Sequence, residues 1–429
     1  MKKIAFHAGY PLKGFTKDNF INFHRKIGFN SGNILFKVGS VVTTCQDIHA
    51  FDYIDITKSD INFINETYDY VLYSGANLIN PKLKHVDYHK LSNAIKRLKI
   101  PYITLSIGAQ ADSYRCNLAT KLPKKQIEYI KVISDACNTI GVRGNYTAEV
   151  LNLLGIKNVA IIGCPSIYSK GLDVLNNSFN PTLEEVSCNF TPIKAHKYFN
   201  LRLLEEAHLK SYTVIKQSNA LAQKLLFFPD EIQLKDFGML YKNIIDLYLQ
   251  NKLRFFGSYK AWVKYFEHQT FCFGTRIHGN IAAVLGGTAC NVIIHDSRTY
   301  ELCEYLNLPY TKLSDISKHK GMIANYLVDT TNMDSFITSF KDKLTDYIMF
   351  LETNSIAHNF DENLHLKNNF LESIPVNMYE LSPTSQDTAK AQTLESLLNV
   401  LLHSKNIQFS IYMDTVLTTL AQYCRYLKN

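Results

Sequence analysis

The feature that most narrows the folds open to this chain is a repeated alternation of short apolar runs with helical patterns. Tyr70 to Tyr73 (YVLY), Tyr102 to Ile107 (YITLSI), Thr139 to Val142 (TIGV) and Val159 to Ile162 (VAII) are too short for helices, and most of them close on Gly or Ser. Short continuous apolar runs read as strands buried on both faces, the environment of a parallel sheet. Between them, Leu91 to Leu98 and Thr147 to Leu154 set apolar residues at helical spacing. Strands alternating with helices of this length build βαβ units and a doubly wound sheet.

A second series of the same kind begins near Val186 to Phe190, after a turn-rich stretch that includes Asn176, Asn177, Ser178, Asn180 and Pro181. At 429 residues the chain exceeds one ordinary core, so two or three compact units are expected. The reading is α/β: a Rossmann-like domain over residues 1–180, a second over 181–350, and a loop plus helical extension over 351–429. Further strands are expected at Leu225 to Phe228, Phe271 to Phe273 and Asn291 to Ile294. Two doubly wound sheets would turn their strand carboxyl ends toward one central cleft, where open α/β sheets bind ligands. In the extension, Leu394, Leu397, Leu398, Leu401 and Leu402 fall at helical spacing, and a further helix is expected around Ile411 to Leu420. This face either packs on the body or forms a homodimer contact.

Charge and cysteine usage remove several function classes. The net charge of +8 is spread over 46 basic residues without a polybasic tract, which suits small anions or an anionic lipid surface better than nucleic acid. The opening MKKIAFHAGY has no apolar stretch of the kind a secretion signal uses, so a cytoplasmic location is expected. Ile281 to Ile294 is interrupted by Gly286, Gly287, Thr288 and Asn291, and is shorter than the ~20 residues of a membrane span. Nine cysteines without a C-x-x-C pair indicate buried thiols rather than a disulfide framework or a zinc ribbon.

His85 and His89 have the spacing of a zinc helix, but Val86 stands where a metalloprotease requires Glu, and surface histidines are expected. Gly9 to Gly14 is followed by Phe15 in place of the P-loop lysine. With no G-x-S-x-G elbow and no G-x-G-x-x-G fingerprint, hydrolase, kinase and dehydrogenase readings lack support.

Three segments share one physical design, in which a strand ends, a Gly or Arg occupies the tight connection, and a helix begins. They are Tyr73-Ser-Gly75-Ala-Asn77, Gly141-Val-Arg143-Gly-Asn-Tyr-Thr147 and Gly274-Thr-Arg276-Ile-His278-Gly-Asn280. A helix amino terminus offers free N–H groups and a positive dipole end, and an adjacent Arg grips phosphate or carboxylate at two points. A single strand-exit Arg is ordinarily half of a surface ion pair. The same context repeated in both expected domains points instead to an anion site. His278 alone reads as a structural histidine; two residues after Arg276 at a helix entry it becomes a candidate acid or base. Arg298, in His295-Asp-Ser-Arg298, follows an expected strand and can reach the same cleft.

Ile107-Gly108-Ala-Gln110, Ile140-Gly-Val-Arg143 through Leu154-Gly-Ile156, Gly163-Cys-Pro-Ser166, and Thr275-Arg-Ile-His-Gly279 through Asp296 together resemble the polysaccharide pyruvyl transferase family, in order and spacing. Asn30-Ser-Gly32-Asn33 resembles that family's N-x-G-D turn, and Ser74-Gly-Ala-Asn77 its G-G-G-N turn. The likeness runs over about residues 28 to 315, and R-x-H-G is its most specific part.

The resemblance implies a glycosyltransferase-B-like fold and transfer of the pyruvyl unit of phosphoenolpyruvate onto two hydroxyls of a sugar, or of a lipid-linked oligosaccharide, as a ketal. Carried over by position, His278 is the catalytic histidine with Arg276 its helper. Arg143 and Arg298 hold the donor's phosphate or carboxylate, and Gly75, Asn77 and Gly108 line its site. No cofactor or metal is expected, and the enzyme would work in the cytoplasm, with peripheral contact at the inner membrane face.

Three departures stand out: Arg298 where the family usually has Lys, Asn33 for a usual Asp, and Cys164 where many members have Asp. The acid that protonates the donor carbon is therefore left unassigned. Two other readings remain: a metal-independent glycosyltransferase of the same fold using a nucleotide sugar, and a non-catalytic partner in a polysaccharide-assembly complex.

Overall fold

The computed structural model describes residues 2–7, 25–47, 49–83, 86–111, 113, 116–192, 194–218, 241–369 and 371. It divides into two compact units, Met1–Thr191 with Phe256–Met378, and Pro192–Phe255 with Tyr379–Asn429. The architecture is α/β with parallel sheets, as expected.

The larger unit opens with β1 (Ile4–His7), α1 (Gly32–Thr44), β2 (Phe51–Ile54), α2 (Ile61–Thr67), β3 (Tyr70–Tyr73), α3 (Tyr88–Lys96) and β4 (Tyr102–Thr104). The strands form a parallel sheet in the order β2-β1-β3-β4. The order in which successive strands are added reverses between β1 and β3. Beyond α4 (Lys124–Asp135), β5 (Ile140–Val142), α5 (Asn145–Leu153) and β6 (Val159–Ile161) continue the pattern. Leu105 N–H still donates to Tyr73, Ser106 takes φ +57°, and Ile107 then pairs with Val142, so the chain passes from β3 to β5 at that kink. A non-glycine residue in the left-handed region costs energy and persists only where its surroundings hold it. The Ser106 hydroxyl, fully buried, donates to Gly163 O at 2.6 Å.

After β7 (Val186–Asn189) the chain enters the smaller unit. There α6 (Lys197–Leu209), β8 (Thr213–Ile215), α7 (Tyr241–Leu249) and β9 (Leu253–Arg254) form a parallel β8–β9 pair with helices against it.

Back in the larger unit come α8 (Tyr259–Phe266), β10 (Phe271–Gly274), α9 (Ile277–Leu285), β11 (Ala289–Ile294), α10 (Ser297–Leu306), β12 (Tyr310–Lys312), α11 (Leu313–Lys318), α12 (Ile323–Thr330) and α13 (Asp334–Thr353). Here β12, β11, β10 and β7 lie side by side, all parallel.

Two helices set the stage for the site. All nine residues of α9 are buried, and α1 is buried nearly all round, with Asn33 and Lys37 its two less buried positions. The hydroxyls of α1 turn inward onto their own backbone: Ser40 donates to Phe36 O at 2.9 Å and Thr44 to Ser40 O at 2.7 Å. A Cβ at Gly39 would lie 2.5 Å from the Ser166 backbone, so that glycine lets α1 close onto the turn after β6. Helix α13 buries Phe336, Phe340, Leu344, Tyr347 and Leu351 along one stripe, and the Tyr347 hydroxyl reaches Thr43 of α1 at 2.8 Å.

The expected strands at Tyr70, Tyr102, Thr139, Val159, Val186, Phe271 and Asn291 are all present to within a few residues. Leu225 to Phe228, Gly9 to Gly14, His85 and the leucine-rich tail at 394–402 lie outside the described residues. The eight cysteines among the described residues are free thiols, and six are buried. Among the described residues no helix is long and apolar enough to cross a membrane.

Candidate functional site

The exits of β5, β6, β10 and β11 come together in the larger unit, and each delivers one or two polar groups. Arg143 follows β5, Cys164 follows β6, Arg276 and His278 follow β10, and Asp296 and Arg298 follow β11. The loops are stitched together by Ser297, whose hydroxyl donates to Ala109 O at 2.9 Å and accepts from Ala111 N–H at 2.9 Å.

Arg143 is the most committed member. It is only 2% exposed, its Nε–H donates to Ser106 O at 3.2 Å, and its Nη2 has no hydrogen-bond partner among the described residues. The strained turn at Ser106 is thus what presents a carbonyl to the guanidinium. Burial lowers its proton affinity, Cys164 and Glu301 oppose that, and Arg298 adds to it. A buried guanidinium with an idle donor is costly in a protein that binds nothing there. The idle donor suits an oxyanion. Gly108 makes room for it: a Cβ there would stand 2.9 Å from Arg143 Cδ and 2.9 Å from Ala76 O.

His278 sits in the first turn of α9, 6% exposed, with Nε2 3.6 Å from Cys164 Sγ. Its ring centroid lies 6.3 Å from that of Phe36, and the Arg143 guanidinium carbon lies 5.4 Å from the same ring. Burial, then Arg143, Arg298 and Arg276, drive the imidazole down to about 3, so it is neutral in the absence of an anion.

Arg276 is the N-cap of α9, where no side chain caps the helix. Its N–H donates to Asn189 Oδ1 at 2.7 Å, and burial, then Arg298, lower its guanidinium to about 10. Gly274 takes φ +144° because a Cβ would fall 1.9 Å from Asn189 O, so β10 can exit only through glycine. Asn280 fastens the turn from within α9, donating to Gly274 O at 3.1 Å and Arg276 O at 3.0 Å.

Arg298 is partly neutralised by its own loop, its Nε–H donating to Asp296 Oδ2 at 2.9 Å. Asp296 also caps α10 by accepting from Thr299 N–H at 3.0 Å. Burial alone would raise that carboxyl, but Arg298 and His295 together hold it below its ordinary value. With the Asn77 amide oriented to satisfy both of its groups, its oxygen accepts from Arg298 Nη1 at 2.9 Å. Asn77 therefore meets the arginines through Arg298. Gly75 lies in the turn between, against its own neighbour: a Cβ there would strike the Tyr73 ring at 2.1 Å.

One expectation needs correcting. The sequence pattern leads one to expect a helix after Arg143 that offers open N–H groups to a ligand. Instead the start of α5 already holds a carboxyl group: Glu301 of α10 accepts from Thr147 N–H and Oγ1, each at 2.9 Å. Glu301 is 2% exposed, and burial raises its carboxyl to about 7 against the pull of Thr147 and Arg143. Gly144 is the close-approach point, since a Cβ there would lie 2.7 Å from Glu301 Cβ.

Sequence reasoning missed Glu301, Phe36 and Ser106. Phe36 sits among the apolar residues of a buried helix and Glu301 at an ordinary helical position, so neither carries a signal in the chain itself. The described residues contain no group of three His, Cys, Asp or Glu arranged to hold a metal ion.

Among solved structures, the chain aligns with a Klebsiella pneumoniae protein of uncharacterised function at 12% identity, over 72% of this chain and 93% of that one, with a TM-score of 0.41. UDP-N-acetylglucosamine 2-epimerase from Rickettsia bellii aligns at 12% identity over 82% and 96% of the two chains, with a TM-score of 0.43. The Neisseria meningitidis UDP-GlcNAc 2-epimerase aligns at 12% over 93% and 100%, with a TM-score of 0.38. No curated protein sequence matches significantly. The family model of polysaccharide pyruvyl transferase, by contrast, matches residues 5–297, well over half of the chain, so the chain belongs to the polysaccharide pyruvyl transferase family.

Proposed function

We propose that the protein transfers the pyruvyl unit of phosphoenolpyruvate onto two hydroxyls of a sugar, in a surface polysaccharide or its lipid-linked precursor, and releases phosphate. The observation that carries this reading is the idle Nη2 of buried Arg143, in the company of Arg276, Arg298 and a neutral His278. Phosphoenolpyruvate concentrates up to three negative charges on few atoms, which is what three guanidinium groups and an uncapped helix start suit. Arg143 and Arg298 would take its phosphate and carboxylate, with Gly75, Asn77 and Gly108 shaping the backbone around it.

Electron and proton bookkeeping fits residues of this kind. Protonation of the methylene carbon leaves an oxocarbenium-like centre at C2, next to the donor's own carboxylate and phosphate, whose charges the arginines hold. One sugar hydroxyl attacks C2 and loses its proton. A second hydroxyl then forms the other C–O bond as the C2–O bond to phosphate breaks, the electron pair leaving with phosphate. The two hydroxyl protons balance the new methyl hydrogen and the hydrogen on phosphate, so the protein only relays them. His278 is suited to that relay: neutral when alone, it gains proton affinity once a phosphate enters among the arginines. No metal enters this scheme. The acceptor would meet the enzyme in the cytoplasm at the inner membrane face, where the excess positive charge favours anionic lipid.

Mass spectrometry of a sugar acceptor incubated with phosphoenolpyruvate tests the reading. Gain of one pyruvyl unit with release of one phosphate supports it; a glycosylated product formed only from a nucleotide sugar replaces it.

A further inference from the structure

A second group of buried polar side chains lies where β1 and β3 end, at the reversal of the first sheet, and the donor scheme uses none of it. His7 closes β1 and pairs in register with Tyr73 of β3 and Ile54 of β2. Its ring lies 5.1 Å from the Tyr73 ring, and its Nδ1 is 2.9 Å from the Tyr102 hydroxyl. That contact is the ring's one hydrogen bond among the described residues. Ser74, 8% exposed, has a hydroxyl with no partner there.

The charged groups facing His7 are Lys37 on α1 and Asp55 after β2. Asp55 is engaged by Thr57 N–H at 3.0 Å and by the Lys58 ammonium at 3.3 Å. Burial brings Lys37 down to about 8. For His7, burial, opposed by Asp55 and aided by Lys37, brings the ring to about 4, so it is neutral over the physiological range.

Two covalent links tie this group to the arginine cluster. Phe36, against Arg143 and His278, is the residue before Lys37, and a step of about 100° around the helix turns the two side chains in different directions. The turn from Tyr73 to Asn77 packs against the His7 ring at one end and reaches Arg298 at the other. The two clusters are therefore joined through Phe36–Lys37 and through the Tyr73–Asn77 turn, one at the ends of β1 and β3 and the other at the exits of β5, β6, β10 and β11, and strand carboxyl ends are where open α/β sheets bind ligands.

Resting on the donor reading above, we propose that the ends of β1 and β3 form the subsite for the hydroxyl-bearing acceptor, a sugar ring, with His7 as the base that accepts its first proton. The Tyr73 ring, packed on the rings of His7 and Tyr102, forms an apolar wall of the subsite, and Lys37 and Ser74 supply donors for ring oxygens. In the attack, the acceptor O–H bond breaks, its proton passes to His7 Nε2, and the oxygen pair forms the bond to C2 of the pyruvyl unit. This uses the tautomer in which Nδ1–H donates to the Tyr102 oxygen, which makes Tyr102 a positioning residue.

The test compares the wild type with His7→Gln and Lys37→Met, folding being checked by circular dichroism. Saturation-transfer NMR is recorded with methyl α-D-glucopyranoside, galactopyranoside and mannopyranoside, and phosphoenolpyruvate binding is measured by calorimetry in parallel. The expected result is transfer to at least one hexoside in the wild type, a severalfold loss in both variants, and phosphoenolpyruvate affinity unchanged within about twofold. With the hexoside that binds, His7→Gln should lower kcat about 100-fold at unaltered KM for phosphoenolpyruvate. Lys37→Met carries the binding test alone if His7→Gln fails to fold. Wild-type levels of hexoside binding in the variants, or no transfer to any hexoside in the wild type, would overturn the subsite. Hexoside binding that depends on His7 in a protein that ignores phosphoenolpyruvate would leave the subsite standing and remove the donor reading.

Discussion

Arg143 and His278, from different sheets, rest on the same Phe36 ring, the guanidinium carbon 5.4 Å and the imidazole centroid 6.3 Å from its centre. The hydrophobic ring leaves one side of each basic group dry, and the Arg143 Nη2 has no hydrogen-bond partner among the described residues, which suits an incoming anion. The consequences can be measured.

Replacing Arg143 by Met should separate stability from function. The variant loses a buried charge with an idle donor, so its Tm without ligand should equal or exceed that of the wild type. Its affinity for phosphoenolpyruvate should fall at least tenfold, the cost of one charge-assisted hydrogen bond of about 1.5–3 kcal/mol. A thermal melt with and without phosphoenolpyruvate reads both.

Acid should act through His278. Its folded-state value is lowered to about 3 from 6.5, so its neutral form's contribution is complete above about pH 6.5 and is lost as the pH falls toward 3. His7 is lowered too, to about 4, and acts in the same direction. Urea unfolding of His278→Gln between pH 7 and pH 4 should show a shallower loss of stability than the wild type.

Glu301 works with the opposite sign. Its carboxyl is raised to about 7, so the fold binds a proton that the unfolded chain releases near 4.5, and stability from this group declines as the pH rises from about 4.5 to 7. Glu301→Gln keeps a donor or acceptor for Thr147 and should flatten that decline, by an amount on the order of 2 kcal/mol between pH 5 and pH 8. Denaturant midpoints at the two pH values check it.

Cys164 stands 3.6 Å from His278 Nε2, and a carboxylate there would favour the imidazolium. In Cys164→Asp the His278 ring should titrate at least one unit higher by NMR. The same carboxylate would compete for Arg143, so phosphoenolpyruvate should bind more weakly.

Gly108→Ala tests whether the guanidinium needs its present path. A methyl group 2.9 Å from Arg143 Cδ and from the Ala76 carbonyl must push one of them aside. Donor affinity should drop severalfold, with Tm lowered by a few degrees.

What the chain discloses and what it withholds follow from range. The strands at Tyr70, Tyr102, Val159 and Phe271 are apolar runs, legible because burial on both faces leaves no room for polar residues. β2 carries Asp52, and β9 is two residues long, so neither produces such a run. Arg143, Arg276, His278 and Arg298 were legible because strand exits into helices are local patterns. Glu301 was not, because its role comes from facing Thr147 across more than 150 residues of chain. The same long-range contact explains why the start of α5 was misread as open: a local pattern shows the amides but not the carboxylate that another helix brings to them.

The most direct measurement is a calorimetric titration of phosphoenolpyruvate into the wild type and Arg143→Met near pH 6, in two buffers of different ionisation enthalpy. The account predicts one site per chain in the wild type, proton uptake on binding as His278 gains affinity, and loss of both in the variant. Equal binding by the two proteins, or no binding by the wild type, would contradict it.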